Sequence, residues 1–176
     1  MRTALSIAGA AIFVLTAAGT ALAQGSGAEA RLKQLNITLP ADQAPAANFV
    51  NAVQAGKLLF LSGNTPGGQW PLKGKVGKDL TIEQGYDSAR QTGLIMLGKI
   101  RTALGSLDRV KRVVKVLGMV NSADGFSDQP KVVNGFSDLM VEVFGEAIGK
   151  HARSAVGMAG LPGNAPIEVE MIVEVE

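Results

Sequence analysis

Arg153 and Glu168 stand fifteen residues apart, on stretches that read as two successive strands joined by a turn at Leu161-Pro162. An arginine presents a planar fork of donors that grips a carboxylate through parallel hydrogen bonds, and a nearby acid can hold or move a proton. The pair points to a site for a small, negatively charged metabolite. His151, the only histidine, lies two residues before the arginine. No Ser or Cys nucleophile motif accompanies it, so it reads as a solvated turn residue rather than a general base. Glu168 also has a plainer reading: it is one of four glutamates on the last strand, and such a row is ordinarily a polar face.

The elements that must position these residues occupy a chain of 176 residues, 47% hydrophobic and 18% charged, enough for a single core. Met1-Arg2 precedes an apolar run from Ala4 to about Ala18, and Ala21-Leu22-Ala23 has the small-x-small form that signal peptidase accepts. These features predict a secretory signal peptide over residues 1–23, cleavage after Ala23 and an exported, periplasmic protein. Ala4 to Ala23 is also long enough for an uncleaved anchor, but its Ala, Gly and Thr content is weakly hydrophobic, so no membrane partner is expected after cleavage.

Removing residues 1–23 takes away only Arg2, leaving 16 basic against 15 acidic side chains. That balance sets up no field for a polyanion, and no nucleic-acid partner is expected. Cysteine is absent, so stability must come from packing or oligomerisation rather than disulfides. One histidine without cysteine argues against a zinc site, and neither metal nor cofactor is expected. Strict alternation along Arg109–Lys115 puts Arg109, Lys111 and Lys115 on one side and Arg112 on the other, a solvated edge. Lys73, Lys75 and Lys78 do not fit a phosphate loop, because Gly74-Lys75 is followed by Val76.

Residues 24–47 read as a short amphipathic helix, Ala28 to Leu35, and an extended lead-in holding Pro40 and Pro45; residues 48–176 form the domain. Phe49 to Gln54 and Lys57 to Ser62 suit a hairpin about Ala55-Gly56, and Asn64 to Asp79, rich in Gly and Pro, is loop around the only tryptophan, Trp70. Thr81-Ile82-Glu83-Gln84 has the form of a capping box that opens a helix to about Leu104, whose Gly85, Gly93 and Gly98 are expected to admit the sheet. A β-branched strand, Val110 to Val120, is followed by a helix with Pro130 in its first turn. In the last strand Ile167, Val169, Met171, Val173 and Val175 alternate with polar residues, broken by Ile172. This order predicts an α+β domain with helices on one face of a mixed sheet, and Ile172 among the glutamates suggests that subunits cover the other face.

Ala55 to Gly63, Val132-Val133-Asn134, Ala152-Arg153-Ser154, Leu161-Pro162 and Ile167 to Glu170 together resemble the Rid (reactive intermediate deaminase) family, also called YjgF or L-PSP endoribonuclease. The resemblance spans about Phe49 to Val175. It implies a chorismate-mutase-like fold and a homotrimer with three clefts between neighbouring subunits. It further implies a carboxylate held by Arg153, a hydrolytic water positioned by Glu168, and Phe49, Ser62, Gly63 and Asn134 as cleft residues. The implied activity is hydrolysis of 2-imino or enamine acids to 2-keto acids and ammonia. Phe49 replaces a tyrosine common in active members, and Ala155 replaces a frequent cysteine, so a non-catalytic trimeric sensor or carrier of a small carboxylate is the alternative. The endoribonuclease of the family's other name lacks support in the near-neutral charge and single histidine.

Overall fold

The computed structural model describes residues 27–45 and 47–176; the expected signal peptide lies outside the described residues. Helices α1 (Ala28–Gln34), α2 (Ile82–Leu104), α3 (Gln129–Phe144) and α4 (Glu146–Gly149) alternate with strands β1 (Ala52–Ala55), β2 (Leu58–Asn64), β3 (Val110–Asn121), β4 (Ala152–Met158) and β5 (Ile167–Val175). The strands form one mixed sheet in the order β1-β2-β5-β3-β4. Only β3 and β4 run parallel, joined by the crossover through α3. Strands β4 and β5 are successive in the chain but do not pair, because β3 lies between them.

Strand β5 shows how the pattern becomes a layer. Its odd-numbered residues from Ile167 to Val175 are all buried beneath the helices, while Glu168, Glu170, Ile172 and Glu174 occupy the opposite face. Helix α2 opens on the expected capping box: the Thr81 side chain accepts from the Gln84 N–H, and the Gln84 side chain accepts from the Thr81 N–H. Helix α1 packs into the same core through Leu32.

The glycines of α2 do admit close neighbours, but these are α3 and the lead-in rather than the sheet. A Cβ on Gly93 would lie 2.8 Å from Leu139, and one on Gly98 would lie 2.7 Å from the Pro40 carbonyl oxygen. The crossing is as tight from the other side, where a Cβ on Gly135 of α3 would meet the Tyr86 carbonyl oxygen. Backbone cannot swing aside as a side-chain tip can. Gly135→Ala is therefore expected to cost about 1–3 kcal/mol, while Gly160→Ala, with open space around it, changes stability little; urea unfolding of both variants checks the contrast.

Strict alternation fails in β3. Register shifts against β5 fall between Val110 and Arg112 and between Val113 and Lys115. Arg112 therefore stands opposite Glu174 and Lys115 opposite Ile172, both on the face away from the helices. Arg109 belongs to the preceding 3-10 turn and donates to the Leu104 carbonyl. The expected division of this basic run is thus corrected by two bulges. Lys75 has a structural task, its ammonium donating to the Ser122 and Ala159 carbonyls to pin the long loop.

Val53, Phe60 and Val156 are exposed on the helix-free face of the sheet, with Leu117 and Ile172 half-buried among them. These residues form an apolar patch on a face that also carries Arg112, Lys115 and the β5 glutamates, a surface suited to packing against another chain. Among the described residues no helix is long and apolar enough to cross a membrane.

Candidate functional site

Arg153 projects from the edge strand β4 on its helix-covered side, level with the core residue Val116. Its Nη1 donates to Asn134 Oδ1 at 2.9 Å and to Ser137 Oγ at 3.0 Å. Asn134 and Ser137 are three residues apart on α3 and share one stripe of that helix. Nη2 reaches the Pro130 carbonyl at 3.4 Å. The Nε–H and a second Nη2–H have no hydrogen-bond partner among the described residues, which leaves the outer edge of the guanidinium for an incoming carboxylate.

His151 continues this chain. Its Nδ1 lies 2.6 Å from the Gly149 carbonyl oxygen and its Nε2 lies 3.0 Å from Ser137 Oγ. A carbonyl only accepts, so Nδ1 carries the proton, and in the neutral ring Nε2 accepts the Ser137 hydroxyl. The serine oxygen is then free to accept from Arg153. Burial, reinforced by the Arg153 charge against the opposing pull of the Gly149 carbonyl, holds the imidazole pKa below its ordinary value. His151 is thus half-buried and bonded at both ring nitrogens, not the solvated turn residue expected from sequence.

A pH dependence follows. The unfolded chain takes up the proton first, near 6.5, so stability present above that pH is lost as pH falls through it toward the folded value. Wild type is expected to lose more Tm than His151→Gln on going from about pH 7.5 to about pH 5.5. Equal losses would show that the imidazole does not couple to folding.

Glu168 lies on the other face of the sheet, opposite Met119 on β3. Burial, with a smaller contribution from the Glu170 charge, raises its pKa. The carboxylate rests over Gly63, where a Cβ would collide with Oε1. Beside it opens a cavity of about 780 Å³ bounded by the lead-in, the loop after β2 and helix α2; Phe49, Gly63 and Glu168 line it. Ser62 is adjacent but outside. Its hydroxyl donates to the Val50 carbonyl at 2.6 Å, and it borders a smaller hollow of about 390 Å³ with Lys115 and Ser154. Gly63→Ala would push aside only the flexible end of Glu168, so it is expected to leave Tm within a few degrees of wild type, which thermal melting checks.

The expected site residues therefore fall into two groups: Arg153 with Asn134, and Glu168 with Gly63 and Phe49. They face opposite sides of the sheet, two strands and about 10 Å apart across it. Within the chain the two groups are not brought together. Sequence reading missed Ser137, although a polar pair at 134 and 137 in an apolar helix was a usable signal. It also missed the cavity residue Lys99, which falls at the buried phase of α2 between Met96 and Ile100. No three His, Asp or Glu side chains converge to hold a metal among the described residues.

An α+β domain with two long helices on one face of a mixed sheet, carrying an arginine anchored to α3 by one side of its guanidinium, is the class of protein that fold and site define. The family model described as "YjgF/chorismate_mutase-like, putative endoribonuclease" matches residues 29–175, and the chain belongs to that family. The chain is 47% identical over 149 residues to Protein TCP17 of Trypanosoma cruzi, a match covering 82% of this chain and 92% of that protein. It is 30% identical over 145 residues to a 2-iminobutanoate/2-iminopropanoate deaminase of Dermatophagoides farinae, covering 80% of this chain and 95% of the relative. The crystal structure of Atu1372, a protein of unknown function from Agrobacterium tumefaciens, superposes with a TM-score of 0.76 at 40% identity, over 84% of this chain and 91% of that one. These matches bear out the expected family and chorismate-mutase-like fold.

Proposed function

We propose that this protein is a deaminase of 2-imino or enamine acids, with sites completed between protomers of a homotrimer. The observation that carries the reading is the division of the two reactive groups between opposite faces of the sheet: an Arg153 edge free for a carboxylate, and a Glu168 carboxyl beside a cavity. A ring in which one protomer's Arg153 meets its neighbour's Glu168 would satisfy both, and the apolar patch of Val53, Phe60 and Val156 on the helix-free face offers a surface for such packing. The relative named a 2-iminobutanoate/2-iminopropanoate deaminase supports the choice of reaction.

In the proposed reaction Arg153 fixes the substrate carboxylate, and the Glu168 carboxylate takes a proton from water as its oxygen bonds to the imine carbon. The π pair of the C=N bond moves to nitrogen, which takes a proton from solvent. As the resulting carbinolamine collapses, the C–N bond breaks, Glu168 gives its proton to the leaving nitrogen, and the hydroxyl proton passes to solvent as the C=O bond forms, giving keto acid and ammonia. A carboxyl pKa raised by burial is suited to this exchange near neutral pH. Asn134, Ser137 and His151 hold the arginine in place, and Ser62 and Gly63 shape the strand end beneath the substrate.

Acceleration of keto-acid release from 2-imino acids generated by an amino-acid oxidase is the test, with wild type and Arg153→Ala compared as intact oligomers. Loss of acceleration in the variant supports the reading; equal acceleration overturns it. Phe49 and Ala155 favour a second reading, a trimer that binds a carboxylate without turnover, because a hydroxyl and a thiol are absent there. Its mark would be a Tm raised by keto acids with no acceleration. The amino-terminal pattern supports the further proposal that the working protein is exported, which sequencing the amino terminus of the secreted fraction would test.

A further inference from the structure

We infer that the cavity beside Glu168 takes an aromatic, uncharged substrate side chain, so that the preferred imino acids are those derived from phenylalanine or tryptophan rather than from alanine or 2-aminobutyrate. This inference rests on the deaminase reading and specifies its substrate class. At about 780 Å³ the cavity falls in the range of about 300–1,000 Å³ typical of sites for drug-sized ligands. The side chain of a three- or four-carbon acid would leave most of it to water.

The walls specify what fills it. Phe49 and Ile95 line the cavity from the lead-in and from α2, and Trp70 lines it from the loop after β2, with the neutral amides of Gln69 and Gln91 beside them. The Trp70 indole is fixed: its Nε1–H donates to Ser88 Oγ at 2.9 Å, and Ser88 donates in turn to the Gln84 carbonyl at 2.7 Å. A tethered ring is a wall rather than a mobile cap, and such a wall favours a flat aromatic partner. The inner cation does not invite an acid. Lys99 is already engaged by Asp42 at 3.1 Å and by the Gln43 carbonyl at 3.5 Å, so a side-chain carboxylate entering here would find that charge already compensated. Glu168 in the lining adds like charge against it.

The α-carbon and the cavity are linked through residues already placed at the site. Glu168, Gly63 and Phe49 line the same space as Trp70 and Ile95. A substrate whose imine carbon sits by Glu168 therefore has one large opening for its side chain.

The experiment compares kcat/KM on imino acids derived from phenylalanine, tryptophan, alanine, 2-aminobutyrate and glutamate, for wild type and for Ile95→Trp, which fills the cavity from α2. In parallel, phenylpyruvate and pyruvate are compared for the Tm shift each produces at one concentration. The expected result is an aromatic preference of at least about tenfold in wild type, a phenylalanine-to-alanine ratio that falls by at least about tenfold in Ile95→Trp, and a larger Tm shift with phenylpyruvate. Equal or faster turnover of the alanine- or glutamate-derived imine, with an unmoved ratio, overturns the inference while leaving deamination intact. Absence of turnover on every imine overturns the deaminase reading instead, and the Tm comparison then decides the cavity: a larger shift with phenylpyruvate upholds aromatic selectivity, and an equal or smaller one overturns it.

Discussion

Mixtures of Arg153→Ala and Glu168→Gln chains are expected to regain turnover that neither chain has alone. In the proposed reaction Arg153→Ala removes a charge-assisted, two-point grip on the carboxylate, a loss of about 3 kcal/mol or roughly 100-fold in kcat/KM. Glu168→Gln keeps the shape of the side chain and removes its proton chemistry, a loss of about 100- to 10,000-fold. In a closed ring of three the two defects fall on different chains at some sites. When subunits are unfolded together at equal amounts and refolded, about one site in four draws its arginine from a Glu168→Gln chain and its glutamate from an Arg153→Ala chain. Activity should therefore return to about a quarter of wild type. Two inactive parents that stay inactive on mixing, while still forming mixed oligomers, would place both groups in one chain's site and overturn the shared-site geometry.

The placement of Arg153 and Glu168 on opposite faces of the sheet was beyond the reach of spacing alone. Ile167 to Val175 announced its two faces through period-2 alternation, and Thr81 with Gln84 announced the start of α2, because both signals depend on neighbours in the chain. Arg153 and Glu168 are also near in sequence, but which face each takes depends on β3 entering the sheet between their strands. The bulges in β3 carry no Gly or Pro to mark them between Val110 and Lys115, so the basic residues there were assigned to the wrong sides. His151 looked solvated for the same reason. Its burial and its bond to Ser137 come from α3 packing alongside the strand, a contact between residues fourteen apart. Family resemblance supplied the candidate residues; topology divided them into two groups.

Asp42→Ala is expected to destabilise the protein by about 2–3 kcal/mol, because it leaves the largely buried Lys99 ammonium without its carboxylate partner at the cavity wall. Lys99 is 7% exposed, and Asp42 Oδ1 at 3.1 Å is its carboxylate partner. The same Oδ1 accepts from Asn51 Nδ2 at 2.9 Å, so the pair also ties the lead-in to the start of β1. Lys99→Met removes the charge and keeps an unbranched apolar stem at a buried position of α2, so its cost should be much smaller. The double variant distinguishes a stranded charge from a lost tether. With Lys99→Met already present, Asp42→Ala has no ammonium to expose, and most of its cost should vanish, a coupling of about 2 kcal/mol or more. Additive losses in urea unfolding would mean that Asp42 acts only through Asn51 and the backbone. The pair also borders the cavity beside Glu168, so the coupling measures how firmly one wall of the proposed substrate pocket is held.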